Sequence, residues 1–336
     1  MKDLIRFKNA PTIIASASVV GKNESDGPLG QLFDIHDTTD TFGMKTWEQS
    51  EGEMQRLAFN TAVAKAGLKY EDVQAIFAGD LINQCVCSAY GLSDYDIPFF
   101  GLYGACSTGA EALILSSITL NSGAYRTVAA VTSSHNCTAE RQFRLPLEYG
   151  GQRTPTSQWT VTGAAAFIVG VDTSVHGPYI TEALPGRVID YGINDANNMG
   201  AAMAPAAVDT LIRYFKQSGM KPSHFDLIIT GDLGYEGHSI VCDLMRQRGY
   251  DLGSVYDDCG LLIYDRTRQD KHAGGSGCGC STTILSAKLL KDLTDGTYHD
   301  ILWLGTGALM SPMMLQQGKS IPGIAHLLRI TKENML

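Results

Sequence analysis

The strongest constraint on this chain is an internal repeat. Residues 67–81, GLKYEDVQAIFAGDL, recur without a gap at 219–233 as GMKPSHFDLIITGDL, an offset of 152 residues. Gly67, Lys69 and Asp80 match Gly219, Lys221 and Asp232. Each copy follows a helix-like segment, Met54–Ala66 or Ala206–Ser218, and reads as a turn, a short apolar strand and a Gly-Asp-Leu exit. A second echo comes in the same order. Residues 105–134 (ACSTGAEALILSSITLNSGAYRTVAAVTSS) resemble 279–308 (GCSTTILSAKLLKDLTDGTYHDILWLGTGA), with Cys106 opposite Cys280. Helix–strand–helix–strand, met twice, predicts an α/β chain of two duplicated halves, 1–173 and 174–336, with mostly parallel sheets joined by helical crossovers. The segments after Cys106 and Cys280 are apolar nearly all round, so they are expected as a buried central pair between the sheets.

Bulk properties narrow the function classes. The chain has 336 residues, 44% hydrophobic and 18% charged, enough for two ordinary domains with a large core. A net charge of −9 argues against a nucleic-acid partner and against simple electrostatic attachment to an anionic membrane. The longest apolar run, Ala164–Val171, is far shorter than a membrane span. Asp3, Arg6 and Lys8 interrupt the N-terminal apolar residues, so no signal peptide is read and the cytosolic side of a membrane is expected. The eight cysteines do not read as a disulfide framework in a chain of this size. The two C-x-C pairs, Cys85/Cys87 and Cys278/Cys280, lack the C-x2–4-C spacing of zinc sites, so core cysteines and no metal are expected.

Chemistry concentrates around Cys106. Small neighbours, Gly104 and Ala105, would admit a ligand, and the start of a helix favours a thiolate. This stretch alone fits a nucleophile as well as a pocket wall. Asp80 ends an apolar strand, with Asn83 and Gln84 following, where polar groups should converge. The segment from 133 to 144 supplies Ser133, Ser134, His135, Asn136, Arg141 and Arg144 within a short span. The loop HAGGSGCGC lacks nucleotide-loop spacing, and its glycines, Gly275 and Gly277 among them, would bring backbone N–H groups close to a ligand. Phe99, Phe100, Tyr103 or Phe143 are candidates for the wall of a flat slot.

A duplicated α/β chain with a cysteine opening the first buried helix resembles the thiolase superfamily. The resemblance implies a five-layer αβαβα sandwich over essentially the whole chain. In the condensing enzymes of that group a His follows the strand matching 227–230, and an Asn precedes the last buried helix. The corresponding positions here are read as Asp232 and Gly274, while His238 lies too far along and His272 is a stray base without an evident partner. The segments DGPLGQLFD, AGDLINQ, GACSTGAEAL, GRVIDYGINDANNMGAAMAPAAVDT and AGGSGCGCS are similar to the stage V sporulation protein AD family. That resemblance implies a non-catalytic protein that binds dipicolinic acid, with or without calcium, and takes part in its movement into the developing spore. It also implies SpoVA membrane proteins as partners, a place peripheral to the spore inner membrane, and no cofactor. The expected ligand-binding set is Asp80, Asn83, Cys106, Ser134, His135, Arg141, Gly275 and Gly277. Two alternatives stand beside it, an acyltransferase using Cys106 and an adaptor that docks to membrane partners. The thiolase resemblance also implies a homodimer paired through the edge of the first-half sheet, for which the segment DIPFFGLYG is apolar enough.

Overall fold

The structure, a computed structural model, describes residues 3–143, 153–171 and 174–334. The repeat is visible in its helix ends. Helix Trp47–Ala66 starts at Thr46, whose side chain accepts from the Gln49 amide, and stops at Gly67 with φ 67°. Helix Met199–Ser218 starts at Asn198, whose side chain accepts from Ala201, and stops at Gly219 with φ 75°. Both carry a capping side chain at the start and a left-handed glycine at the end, the two signals that delimit a helix most firmly. Strands Ile76–Gly79 and Leu227–Thr230 follow.

In hydrogen-bonding order the strands run Tyr256–Asp258, Leu227–Thr230, Asp300–Ala308, Gly323–Thr331, Tyr179–Leu184, Thr12–Val20, Gly163–Gly170, Thr127–Ser134, Ile76–Gly79 and Phe99–Gly101. The order is mirrored about its middle, where Thr12 pairs with Tyr179 and joins the halves. The pairings next to the exits are parallel, Ile76–Gly79 with Thr127–Ser134 and Leu227–Thr230 with Asp300–Ala308. The expected mostly parallel sheets are corrected to mixed ones. Gly163–Gly170 and Gly323–Thr331 return antiparallel to Thr127–Ser134 and Asp300–Ala308. A return of this kind needs no crossover helix, so the helix–strand count alone could not register it.

Alternation along each strand builds the layers. Phe77, Val128 and Ala130 share a core with Ile229, Ile301 and Trp303, between the two halves. Ile76, Ala129 and Val131 point the other way, to a core with Met54, Ala58 and Phe59 of helix Trp47–Ala66. Ile228, Leu302 and Leu304 do the same against Met203, Leu211 and Phe215 of helix Met199–Ser218. Each sheet is therefore buried on both faces. Helix Thr108–Asn121 contacts strands of both halves, and the helix beginning Cys278–Ile284 packs beside it. The result is helix, sheet, paired central helices, sheet, helix. No helix among the described residues is long and apolar enough to cross a membrane.

Candidate functional site

Cys106 lies where the two halves meet. Ala105, with φ 51°, turns the chain sharply before helix Thr108–Asn121. A non-glycine residue held there signals a constrained presentation of its neighbour. The opposite wall of the turn is strand Asp300–Ala308, where Gly307 leaves room: a Cβ on it would stand 2.4 Å from the Gly104 carbonyl. Cys106 lines a narrow cavity of about 40 Å³ together with Leu81, Tyr103, Phe143, Thr160 and Ser276. Tyr103, Phe143 and Met310 also line a wider vestibule of about 490 Å³, to which Asn83, Gln142 and Ser311 contribute polar groups.

Two groups from the second half meet the thiol. Ser276 Oγ is 3.9 Å from Cys106 Sγ, and the same hydroxyl donates to Asp232, whose carboxyl acts on the thiol through its charge. Asp232 is itself buried and well tied. Thr306 Oγ1 donates to Oδ1 at 2.7 Å, while Ser276 Oγ at 3.2 Å and the Gly277 amide at 2.9 Å donate to Oδ2. Burial, and then the Asp232 charge, push the Cys106 thiol well above its usual range, overriding the helix start. Burial also pushes the Asp232 carboxyl up. Tyr103 is pushed up to about 12 by burial and by neighbouring thiols and acids, so its hydroxyl stays protonated at neutral pH.

The expected ligand set divides. Cys106 lines the cavity and Asn83 the vestibule. Asp80 is fully buried and organises its own loop, accepting from the Ile82 and Ser88 amides at 2.8 Å each and the Ser88 hydroxyl at 2.6 Å. Ser134 is a strut between sheet and loop, donating to the Val161 carbonyl and accepting from the Gly279 amide. His135 is buried away from the cavity. Its Nε2 lies 2.8 Å from the Asp40 carbonyl, its Nδ1 accepts from the Cys137 amide, and its ring packs on Trp47. Arg141 is half exposed and paired with Glu48. Gly277 spends its N–H on Asp232, and the Gly275 carbonyl accepts from Gln158. Arg144 lies outside the described residues.

The position facing Cys106 is Ser276, not Gly274, whose carbonyl instead accepts from the Trp159 amide in a short ribbon. His272 contacts the Thr154 carbonyl and Asp270, and His238 stacks on Tyr256. No Lys, Arg or His lines the cavity among the described residues. The sequence reading missed Ser276, Thr306 and Met310. Ser276 stands between Gly275 and Gly277, so the sequence does mark its place in the loop.

A duplicated, layered α/β chain whose cysteine sits at the seam of its halves defines a thiolase-like fold. The fold matches 3-oxoacyl-[acyl-carrier-protein] synthase III from Aquifex aeolicus with TM-score 0.60 and 15% identity, covering 95% of this chain and 99% of that one. A Xanthomonas campestris OleA structure with cerulenin matches with TM-score 0.62 and 14% identity, covering 97% and 98%. The profile of the family Stage V sporulation protein AD (SpoVAD) matches residues 1–331. Stage V sporulation protein AD of Bacillus subtilis (strain 168) is 42% identical over 320 residues, 95% of this chain and 94% of that protein. The chain belongs to the stage V sporulation protein AD family.

Proposed function

We propose that this chain is a non-catalytic ligand-binding protein that takes dipicolinate during its movement into the developing spore. The observation that carries the non-catalytic reading is the buried Asp232 carboxyl beside Cys106, with Ser276 in contact with both. Acyl transfer needs a thiolate with an acid–base partner free to shuttle its proton. Ionising Cys106 here would set a second anion beside a buried carboxylate already committed to Thr306, Ser276 and Gly277. What persists is a shaped, mainly apolar recess. This reading places the pyridine ring at the neck lined by Tyr103 and Phe143, with its carboxylates toward the Tyr103 hydroxyl and the Asn83, Gln142 and Ser311 side chains of the vestibule. A place on the cytosolic side, peripheral to the spore inner membrane and beside SpoVA membrane proteins, belongs to the same reading.

Assembly is part of the proposal. Strand Phe99–Gly101 is a sheet edge, and Phe99 and Phe100 on it are 39% and 44% exposed. An open apolar edge invites pairing with a second copy. Calorimetric titration with dipicolinate, beside mass spectrometry after incubation with acyl-CoA, tests the function. The expected result is saturable binding and an unmodified Cys106. A stable acyl adduct on Cys106 revives the acyltransferase, and no heat with dipicolinate sinks the ligand.

A further inference from the structure

Behind the cavity wall lies a polar cluster that the ligand reading leaves unused. Glu51 and Gln55 stand one turn apart on helix Trp47–Ala66, on the face turned to the sheet. Asp80 leaves strand Ile76–Gly79, and Cys87 belongs to the short helix Val86–Gly91. Glu51, Gln55 and Asp80 are 0% exposed and Cys87 is 1% exposed. One ligand atom each from Glu51, Asp80 and Cys87 lies within 4.8 Å of the others. Among the described residues no Lys, Arg or His pairs with either carboxylate. Two carboxylates buried this close cannot both stay ionised without a cation between them, and otherwise one keeps its proton.

Gln55 supplies a second, separate sign. Its Nε2 donates to the Ser88 and Ser133 hydroxyls at 2.8 and 2.7 Å. Those hydroxyls in turn donate to Asp80 and Glu51. The amide is thus planted against the cluster, and its Oε1 is buried with no partner at all. Two carboxylates and a thiol sulfur, beside a buried amide whose oxygen is unclaimed, are electron-pair donors of the kind a cation recognises.

We propose that Glu51, Asp80 and Cys87 bind a Zn2+ ion, with Gln55 Oε1 as the fourth ligand. A sulfur ligand and four-coordination select zinc over calcium or magnesium, which take six or more oxygens. Binding releases the Cys87 thiol proton to solvent and leaves a thiolate on the metal. Zinc–ligand bonds of about 2.0–2.3 Å require the widest pair to close by about 1 Å. Thr138, which donates to Glu51 at 2.6 Å, and the Ile82 amide on Asp80 act as the outer supports that orient the carboxylates. The site does not use a C-x-C pair, because Cys85 Sγ turns to the Leu102 carbonyl at 3.0 Å. The ion would clamp the outer helix to the loop that carries Leu81, a cavity-lining residue.

The test is metal content of the full chain, purified without chelator or histidine tag, loaded with zinc chloride and desalted. The wild type should retain about one Zn2+ per chain, and Cys87→Ser and Glu51→Gln almost none. Loaded with Co2+, the wild type and Cys106→Ser should both show a thiolate-to-cobalt charge-transfer band that Cys87→Ser lacks. Zinc near zero in folded wild type means that a shared proton or a water satisfies the cluster, and it overturns the proposal. So does zinc retained by Cys87→Ser, or a cobalt band lost with Cys106→Ser. The wild-type measurements stand even where a cluster variant fails to fold.

Discussion

Exchanging Asp232 for asparagine removes one buried negative charge from beside Cys106 while keeping the side chain's shape and one oxygen acceptor. Two unit charges about 4 Å apart at an effective dielectric of about 20 interact by about 4 kcal/mol. At about 1.4 kcal/mol per pH unit, that is about 3 units on the thiol titration. Because burial raises the Asp232 carboxyl too, part of its charge is already quenched, and the expected drop is about 1–3 units. Iodoacetamide alkylation across a pH series, followed for the Cys106 peptide by mass spectrometry, reads the shift. Wild-type Cys106 should stay unmodified until well above the ordinary thiol range, and Asp232→Asn should react earlier. A common plateau rate at high pH separates titration from access to the cavity. Superimposable profiles, or wild-type Cys106 reacting at neutral pH as fast as an exposed thiol, would refute the electrostatic argument and restore the nucleophile.

Glu24 is fully buried, accepts from Tyr264 and the Thr162 amide, and is pushed up to about 7 by burial. The folded state therefore holds this proton after the unfolded state has lost it, so stability falls as pH rises from about 4.5 to about 7, by about 3 kcal/mol in total. Glu24→Gln should flatten that decline in thermal melts, and parallel pH profiles for the two proteins would contradict it. Arg141→Ala should change dipicolinate affinity by less than about twofold, because Arg141 spends its charge on exposed Glu48. A loss of tenfold in calorimetry would return it to the ligand site. Phe100→Lys on the open edge should shift light scattering from a dimer to 36.2 kDa, while an unchanged mass would rule out pairing through this strand.

Much of this architecture was legible because repeats, caps and strand alternation are local signals. The offset of 152 residues carries over to Thr46 and Asn198 and to Gly67 and Gly219. Asp232 is marked in the sequence by its place after a strand whose twin ends in Asp80, and the structure sets it beside Ser276. The direction of side chains was not legible in the same way. Within helix Asn136–Phe143, Ala139 and Phe143 are one turn apart and face the cavity. Arg141 lies midway between them in sequence, so helical geometry sends it to the other side. A dense run of donors disguised that rotation. In the glycine-rich loop there is no periodicity, so the choice between Gly274 and Ser276 depended on a ribbon with Trp159–Thr160 that only the tertiary structure reveals. Glu51 and Gln55 did leave a trace, as polar residues one turn apart on the apolar face of their helix.

The seam between the halves has a consequence for how ligand and fold depend on each other. Cys106 comes from the first half, and Asp232 and Ser276 come from the second. Thr132 and Thr282 share a hydrogen bond across the same divide. A Cβ on Gly109 would stand 2.2 Å from Thr282 Cγ2, so the central helices touch with no slack. Neither half completes this recess alone. Any molecule lodged at the seam binds only the assembled pair, and by mass action holds the two together. The recess is thus also a joint, and a molecule bound in it would act as a dowel between two halves that each lack a finished inner surface at this seam.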